Sequence, residues 1–341
     1  MRKLRVLVLM DEELMPPDDL SGFSEEEVLN WKAEYDVVVT LGELDQHVLQ
    51  LGVSNDLGVI RNALLEFKPH IAFNMLEEFH GVAIYDQHVA SYLELMRQPY
   101  TGCNPRGLML AHDKALCKKL LTFHRIRTPD FIVFPRGRVV RRPRRLEFPL
   151  LVKSVSEEAS FGITKDSLVY DDESLIERVS FVHDEVETDA LVEEYIEGRE
   201  LYVGVMGNRR LRTFPTWEML FKNIPDDIPN IATARVKWDP TYQKKLGIVT
   251  QAAKDLPEGA DEKIAKLCKR VYRVLCLSGY ARMDLRMKDD GAVYVLEANP
   301  NPNIAYGEDF AESAETVGIS YSQLIQKIIY AGMKYQPEWR A

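Results

Sequence analysis

Residues Gly279–Asn303 read GYARMDLRMKDDGAVYVLEANPNPN, and the folding of this stretch decides the rest. Its first half alternates: Ala281, Met283, Leu285 and Met287 are apolar, while Tyr280, Arg282, Asp284 and Arg286 are polar. A strict period of two is the pattern of a half-buried strand. The second half, AVYVLEAN, is rich in β-branched and aromatic residues and reads as another strand. Asp290-Gly291 between them predicts a two-residue type I′ turn, whose central residues both need positive φ. With that turn Asp289 faces Ala292, Asp284 falls opposite Glu297, and Arg282 falls opposite Asn299. Opposed side chains share a face, with Cβ atoms about 5 Å apart. Two carboxylates so close repel unless a cation lies between them or one is protonated. Oxygens of Asp, Glu and Asn, completed by phosphate oxygens, suit Mg²⁺. The plainer alternative is a hairpin whose charged face meets water. The prolines of Asn299-Pro300-Asn301-Pro302 stop the ladder, since proline has no N–H to donate, so the cluster sits at a strand end.

Arg282-x-Asp284 followed by Leu296-Glu297-Ala298-Asn299 resembles the last strands of the ATP-grasp ligases, most closely the D-alanine–D-alanine ligase branch. The resemblance implies ATP and two magnesium ions, with manganese as a substitute, the metals held by Asp284, Glu297 and Asn299. It gives Arg282 the oxyanion of a tetrahedral intermediate. Lys114, in Asp113-Lys114, matches a lysine that reaches the ATP phosphates; on spacing alone, Lys114 and Lys118 form one solvated face. Pro149–Lys153 reads as a strand that delivers a lysine into a small-residue loop ending at Gly162. Such a loop suits a lid whose backbone N–H groups face an anion, or else an ordinary connection. It is similar to the family's phosphate loop, which places Lys153 and Ser160 beside Arg282 in the catalytic set, although Ala159 replaces a usual serine. The run from Glu193 to Glu200 resembles the hinge between the two ATP-holding lobes. There Glu193, Glu194, Ile196 and Glu200 take the positions that read adenine and ribose. Lys237-Trp238 is similar to the family's substrate-loop pair, on flanks of different length, and His80-Gly81 to a pair after its third strand. The family's N-terminal glutamate has only a faint counterpart in Ser24-Glu25-Glu26-Glu27, which reads equally as a helix N-cap with an acidic first turn.

Composition sets outer bounds. A chain of 341 residues suggests two or three units, and 46% apolar with 28% charged residues is ordinary for a globular protein. Lys and Arg total 43 against 53 Asp and Glu, a net charge of −10 that speaks against nucleic acid or an anionic membrane as the main partner. No apolar run approaches the roughly 18 residues of a membrane span. Cys103, Cys117, Cys268 and Cys276 show no metal or disulfide spacing, which fits a reducing cytoplasm. Neither GxxxxGK[ST], HExxH nor GxGxxG occurs.

In chain order, Leu4–Met10 is an apolar run interrupted only by Arg5, typical of a strand buried on both faces. Val37–Val39 and Ile71–Met75 read as similar short strands, with helical patterns around Val59–Phe67 and Ile84–Met96, hence βαβ units. Asn104-Pro105 caps a helix expected to run to about Phe123. Arg136–Arg145, with six arginines, reads as an exposed loop rather than a polyanion site. Hydrophobic periodicity fades from Thr216 to Lys254, so an irregular lid is expected there. A helix with an apolar face at Ile264, Leu267, Cys268, Val271, Val274 and Leu275 precedes the central hairpin, and another runs from about Ser322 to Met333.

The reading is an α/β protein of the ATP-grasp fold: an N-terminal open α/β domain over 1–124, a small central α+β lobe over 125–205 and a C-terminal α+β lobe over 206–341. By resemblance it is a cytoplasmic, ADP-forming carboxylate–amine ligase working through an acyl phosphate on small amino-acid-like substrates. Oligomeric state is left open, a homodimer among the options. The alternatives are a true D-alanine–D-alanine ligase and a nucleotide-binding regulatory protein without turnover. In the resembling ligases a glycine beyond Glu-Ala-Asn shapes the oxyanion site, and a serine further on holds the second amino acid's carboxylate. Here Asn303 stands at the glycine position and the serine region carries Glu308-Asp309. Unless both acids point to solvent, they favour an acceptor with positive charge or no free carboxylate, so D-alanyl-D-alanine is not the expected main product.

Overall fold

A computed structural model of the chain describes residues 3–155, 163–223, 236 and 239–337. The first part runs β1 (Arg5–Asp11), α1 (Glu25–Asn30), α2 (Lys32–Glu43), β2 (His47–Val53), α3 (Leu57–Phe67), β3 (Ile71–Asn74), α4 (Asp86–Leu95), α5 (Pro105–His112) and α6 (Lys114–Phe123). The second runs β4 (Phe131–Phe134), β5 (Leu150–Ser154), β6 (Leu168–Val169), α7 (Asp172–Glu185) and β7 (Ala190–Glu194). The third runs β8 (Arg199–Met206), β9 (Arg212–Thr213), β10 (Trp217–Phe221), α8 (Pro240–Leu246), β11 (Ile248–Ala252), α9 (Ala260–Val274), β12 (Tyr280–Met287), β13 (Val293–Pro300), α10 (Asp309–Glu315) and α11 (Tyr321–Lys334).

Each part is built on its own sheet. The first is parallel, β2-β1-β3, and Val6–Met10 of its central strand are fully buried, as a run apolar on both faces requires. Helix α11 returns from the far end of the chain to cover this sheet. Its Ile325, Ile328 and Ile329 pack in one cluster with Val6, Val8, Ile71 and Phe73, each burial worth about 1.5–3 kcal/mol. The second sheet is antiparallel, β4-β7-β5-β6, with its own small core under α7. The third follows β11-β10-β8-β12-β13, with β9 paired to β8. By pairing, Arg199–Met206 belongs to the third sheet, so the change of sheet falls ahead of residue 205. Among the described residues no helix is long and apolar enough to cross a membrane.

Several elements depart from expectation. Val37–Val39 lies within α2, because Val37 and Leu41, four residues apart, both point into the core, and this helical spacing outweighs the β preference of three valines. The helix after Asn104 breaks at Asp113, whose side chain accepts from Leu116 N and caps α6 as a separate helix. Thr216–Lys254 is partly regular: β10 and β11 pair antiparallel over five residues. The arginine loop is exposed over most of its length, and Arg142 within it is tied down. Arg142 Nε lies 2.8 Å from Asp172, and its guanidinium stacks 4.4 Å from the Phe148 ring. Ser24 and Glu27 form a reciprocal capping box at the start of α1.

The hairpin reaches its expected register by another route. Lys288 N donates to Ala292 O and Gly291 N to Lys288 O, so the loop holds three residues, with Gly291 at φ 79°. This is the three-residue loop with glycine in the left-handed region rather than a type I′ turn. The ladder then pairs Leu285 with Val295 but Asp284 with Glu297, leaving Leu296 as an extra residue in a bulge. The longer loop and the bulge offset each other, and Arg282 stands opposite Asn299 as expected.

Candidate active site

Three neighbouring strands carry the site on one face. In register, β8, β12 and β13 align Tyr202 with Asp284 and Glu297, and Gly204 with Arg282 and Asn299; one step further Glu200 pairs with Arg286. Arg282 grips Asp284 through Nε at 2.8 Å and Nη2 at 3.0 Å, and its guanidinium lies 4.8 Å from the Tyr202 ring. Burial works against the Arg282 charge, but Asp284 more than reverses it and holds the group above the ordinary arginine range. Asn299 Nδ2 lies 3.4 Å from Glu297 Oε1.

Glu200 is tied down from two sides. Its Oε2 accepts from Arg286 Nη2 at 2.5 Å and its Oε1 from the Tyr202 hydroxyl at 2.7 Å. Arg286 also donates to the carbonyls of Ile196 and Gly198 at 3.4 and 3.3 Å and to the Tyr195 hydroxyl at 3.2 Å. One arginine thus fixes the segment joining the second and third sheets. Gly198 is required within it: its φ is 141°, and a Cβ would come within 2.2 Å of Met287 O.

The second sheet contributes Lys153 from β5 and Glu193 from β7. Glu193 sits between two lysines, Oε1 at 2.7 Å from Lys153 Nζ and Oε2 at 2.7 Å from Lys118 Nζ. Burial pushes the Glu193 carboxyl up, and the two ammonium charges outweigh that and hold it below its ordinary range. Lys153 also feels the charges of Glu297 and Asp284, which brings the second sheet against the hairpin. Lys114 is the first residue of α6, its backbone N donating to Val155 O just after β5. Glu194, one residue along, faces away and accepts from Glu147 N at 3.3 Å. Ile196 is 9% exposed beside that hinge. Ser160, Lys237 and Trp238 lie outside the described residues. His80 is exposed in a left-handed turn at φ 58°.

A cavity of about 370 Å³ opens over this face, lined by Arg282, Glu297, Asn299, Glu308 and Asp309. The buried pair Asp86 and His112, 3.5 Å apart, lines it too. The donors Asp284, Glu297 and Asn299 fit magnesium in kind, all hard oxygens on one face. Among the described residues no three His, Cys, Asp or Glu gather closely enough to hold a metal by themselves.

Sequence reasoning missed Lys118, Arg286 and the Asp86–His112 pair. Lys118 had a signal: it falls on the stripe of Ala115 and Leu121, three residues to either side, and is 1% exposed rather than solvated. Arg286 follows Arg282 and Asp284 at the strand period, so it belongs to the same face.

The fold and the chain's relatives make it an ATP-grasp ligase, ADP-forming and making a C–N bond. The family described as D-ala D-ala ligase C-terminus matches residues 120–330, and the chain belongs to that family. It is 31% identical over 291 residues to a D-alanine–D-alanine ligase of Bordetella avium, covering 84% of each chain. It is 32% identical over 263 residues to an uncharacterized protein, y4sG, of Sinorhizobium fredii, covering 76% of this chain and 73% of the relative. In fold it matches the D-alanine–D-alanine ligase of Bacillus anthracis crystallised with ATP, at a TM-score of 0.74 and 24% identity over 97% of this chain and 98% of that one.

Proposed function

We propose that the chain activates a small amino-acid-like carboxylate with ATP as an acyl phosphate and transfers it to an amine, releasing ADP and phosphate. The observation that carries this reading is the register placing Arg282 and Asp284 opposite Asn299 and Glu297, with Lys153 near enough to feel both carboxylates. Carboxylates are poor electrophiles, and phosphorylation supplies a leaving group. Lys153 neutralises charge on the transferring phosphoryl group, joined by Lys114 from the start of α6 and by Ser160. Asp284, Glu297 and Asn299 would hold two magnesium ions, which supply Lewis-acid charge to the phosphates when bound. Glu193, Ile196 and Glu200 border the nucleotide, Glu200 being presented by Arg286, whereas Glu194 faces away toward Glu147 N. Arg282 donates to the oxyanion formed as the amine attacks. The three lobes fall near 1–124, 125–198 and 199–341, and a cytoplasmic homodimer fits the same reading.

The intact set of Arg282, Asp284, Glu297 and Asn299 favours turnover over a nucleotide-binding role without chemistry. D-alanine–D-alanine ligation is the second reading, favoured by what the Bordetella avium relative is named for. Chromatography of the spent nucleotide tests the mechanism: ADP with phosphate is expected, and AMP with pyrophosphate would refute it.

A further inference from the structure

The cavity over Arg282 continues into a second chamber of about 360 Å³, the two sharing a wall of Leu76, Glu77, Gln243, Asn301 and Glu308. The second chamber runs between β3, the inward face of α2 and the loop after β13, and it is lined by Glu34, Asn74 and Lys32. Its polar groups are mostly acceptors. Glu34 is 6% exposed and Asn74 is 2% exposed. Asn74 Oδ1 is enclosed with no hydrogen-bond partner among the described residues, at a cost usually met by a ligand or water. Glu308 caps no backbone group at the start of α10 and is exposed to solvent at the edge of this space.

Nearby cations are committed elsewhere. Arg282 holds Asp284 through two nitrogens. Lys32 Nζ lies 2.6 Å from Asp36 and donates to Tyr306 O. His112 faces Asp86. Among the described residues no ion pair reaches Glu34, Glu308 or Asp309. An enclosed acceptor and unpaired acids along one continuous space call for a ligand that brings donors and positive charge, and they repel a carboxylate.

Resting on the ligase reading above, we infer that the amine substrate carries a second, positively charged nitrogen, seated between Glu308 and Asn74 where the two chambers meet. The substrate class is a diamine or a basic amine without a free carboxylate at that end.

Three probes of one length separate the possibilities: 1,4-diaminobutane, n-butylamine and 4-aminobutanoate, titrated calorimetrically into the full chain holding a non-hydrolysable ATP analogue. The diamine is expected to bind tenfold to a hundredfold more tightly than butylamine, the range for a hydrogen-bonded charge, with 4-aminobutanoate weakest. Glu308→Gln is expected to remove most of that difference, and Asp309→Asn to reduce it. Equal binding of diamine and butylamine, tighter binding of 4-aminobutanoate, or an unchanged ratio in Glu308→Gln overturns the inference. ADP release reports separately on the ligase reading. A diamine preference without ADP from any carboxylate–amine pair leaves the charge inference standing and sinks the reaction.

Discussion

Lys118 Nζ lies 2.7 Å from Glu193 Oε2, and both side chains are shut off from water. Lys153 approaches the other carboxylate oxygen, so one buried carboxylate serves two lysines, and burial pushes the Lys118 ammonium down from its ordinary range. Lys153 also feels the charges of Glu297 and Asp284 on the hairpin.

Glu193→Gln is therefore expected to cost about 3–5 kcal/mol, the usual result of leaving buried charges without their partner. Urea denaturation at pH 7 measures it. Glu193 binds its proton more weakly folded than unfolded, so its contribution is intact above the ordinary 4.5 and is lost as pH falls through the lower folded value. The gap between wild type and variant should accordingly narrow below pH 4. A gap that stays constant into acid would show that the carboxylate charge is not what stabilises the cluster.

Asp284→Asn and Glu297→Gln should differ. Both remove an anionic oxygen from the proposed metal face, and each should lower ADP release at least a hundredfold at saturating Mg²⁺. Only Asp284 also neutralises the half-buried Arg282, at 2.8 and 3.0 Å. Asp284→Asn should therefore also lower the melting temperature, by several degrees more than Glu297→Gln does. Activity within a few-fold of wild type in either variant counts against the site.

Arg286→Lys tests how the hinge is held. The guanidinium serves Glu200, Tyr195 and two carbonyls at once, and an ammonium lacks that planar fork. The KM for ATP should rise about tenfold, the scale of one or two lost charged hydrogen bonds, with a smaller change in kcat. Unchanged nucleotide affinity would separate Arg286 from ATP binding.

Glu34→Gln should flatten the pH dependence of stability. Burial first, and Asp11 second, lift the Glu34 carboxyl from 4.5 to about 7. Below 4.5 both states hold the proton; between 4.5 and about 7 the unfolded chain has released it while the folded chain keeps it. Wild-type stability thus falls as pH rises through that window, by roughly 3 kcal/mol in all. Urea melts at pH 4.5, 6 and 8 should show this slope in wild type and its loss in the variant, which would then be the more stable protein at pH 8. Parallel profiles would assign the slope to another group.

The site was legible where chemistry and strand period coincide. Arg282 and Asp284 stand one strand period apart, and the alternation alone puts them on one face; Arg286 carried the same signal, though its role was missed. Lys118 was hidden because a lysine in a helix is ordinarily solvated, and its buried partner Glu193 lies 75 positions away. Val37–Val39 misled because three β-branched residues look like a strand, whereas the spacing of Val37 and Leu41 against the first sheet decides for helix. The chamber at Asn74 is assembled from β3, α2 and the loop after β13, and no local window of sequence contains it.

The hairpin offers the sharpest test of how register is set. Its loop is one residue longer than a type I′ turn, and Leu296 in the bulge absorbs the difference before the ladder reaches Glu297. Deleting Leu296 would join Val295 directly to Glu297. Leu285 would keep Val295 as its partner, and the next pair along would again be Asp284 with Glu297, now in a regular ladder. The bulge therefore bends and twists the edge strand rather than setting which residues meet. The deletion is expected to fold, to melt within several degrees of wild type, and to retain measurable ADP release, reduced because the two carboxylates are aimed differently. Nuclear Overhauser contacts between the 284 and 297 backbones would confirm the register. A folded deletion variant in which Asp284 faces Ala298 instead would show that the bulge, not the loop, fixes the pairing.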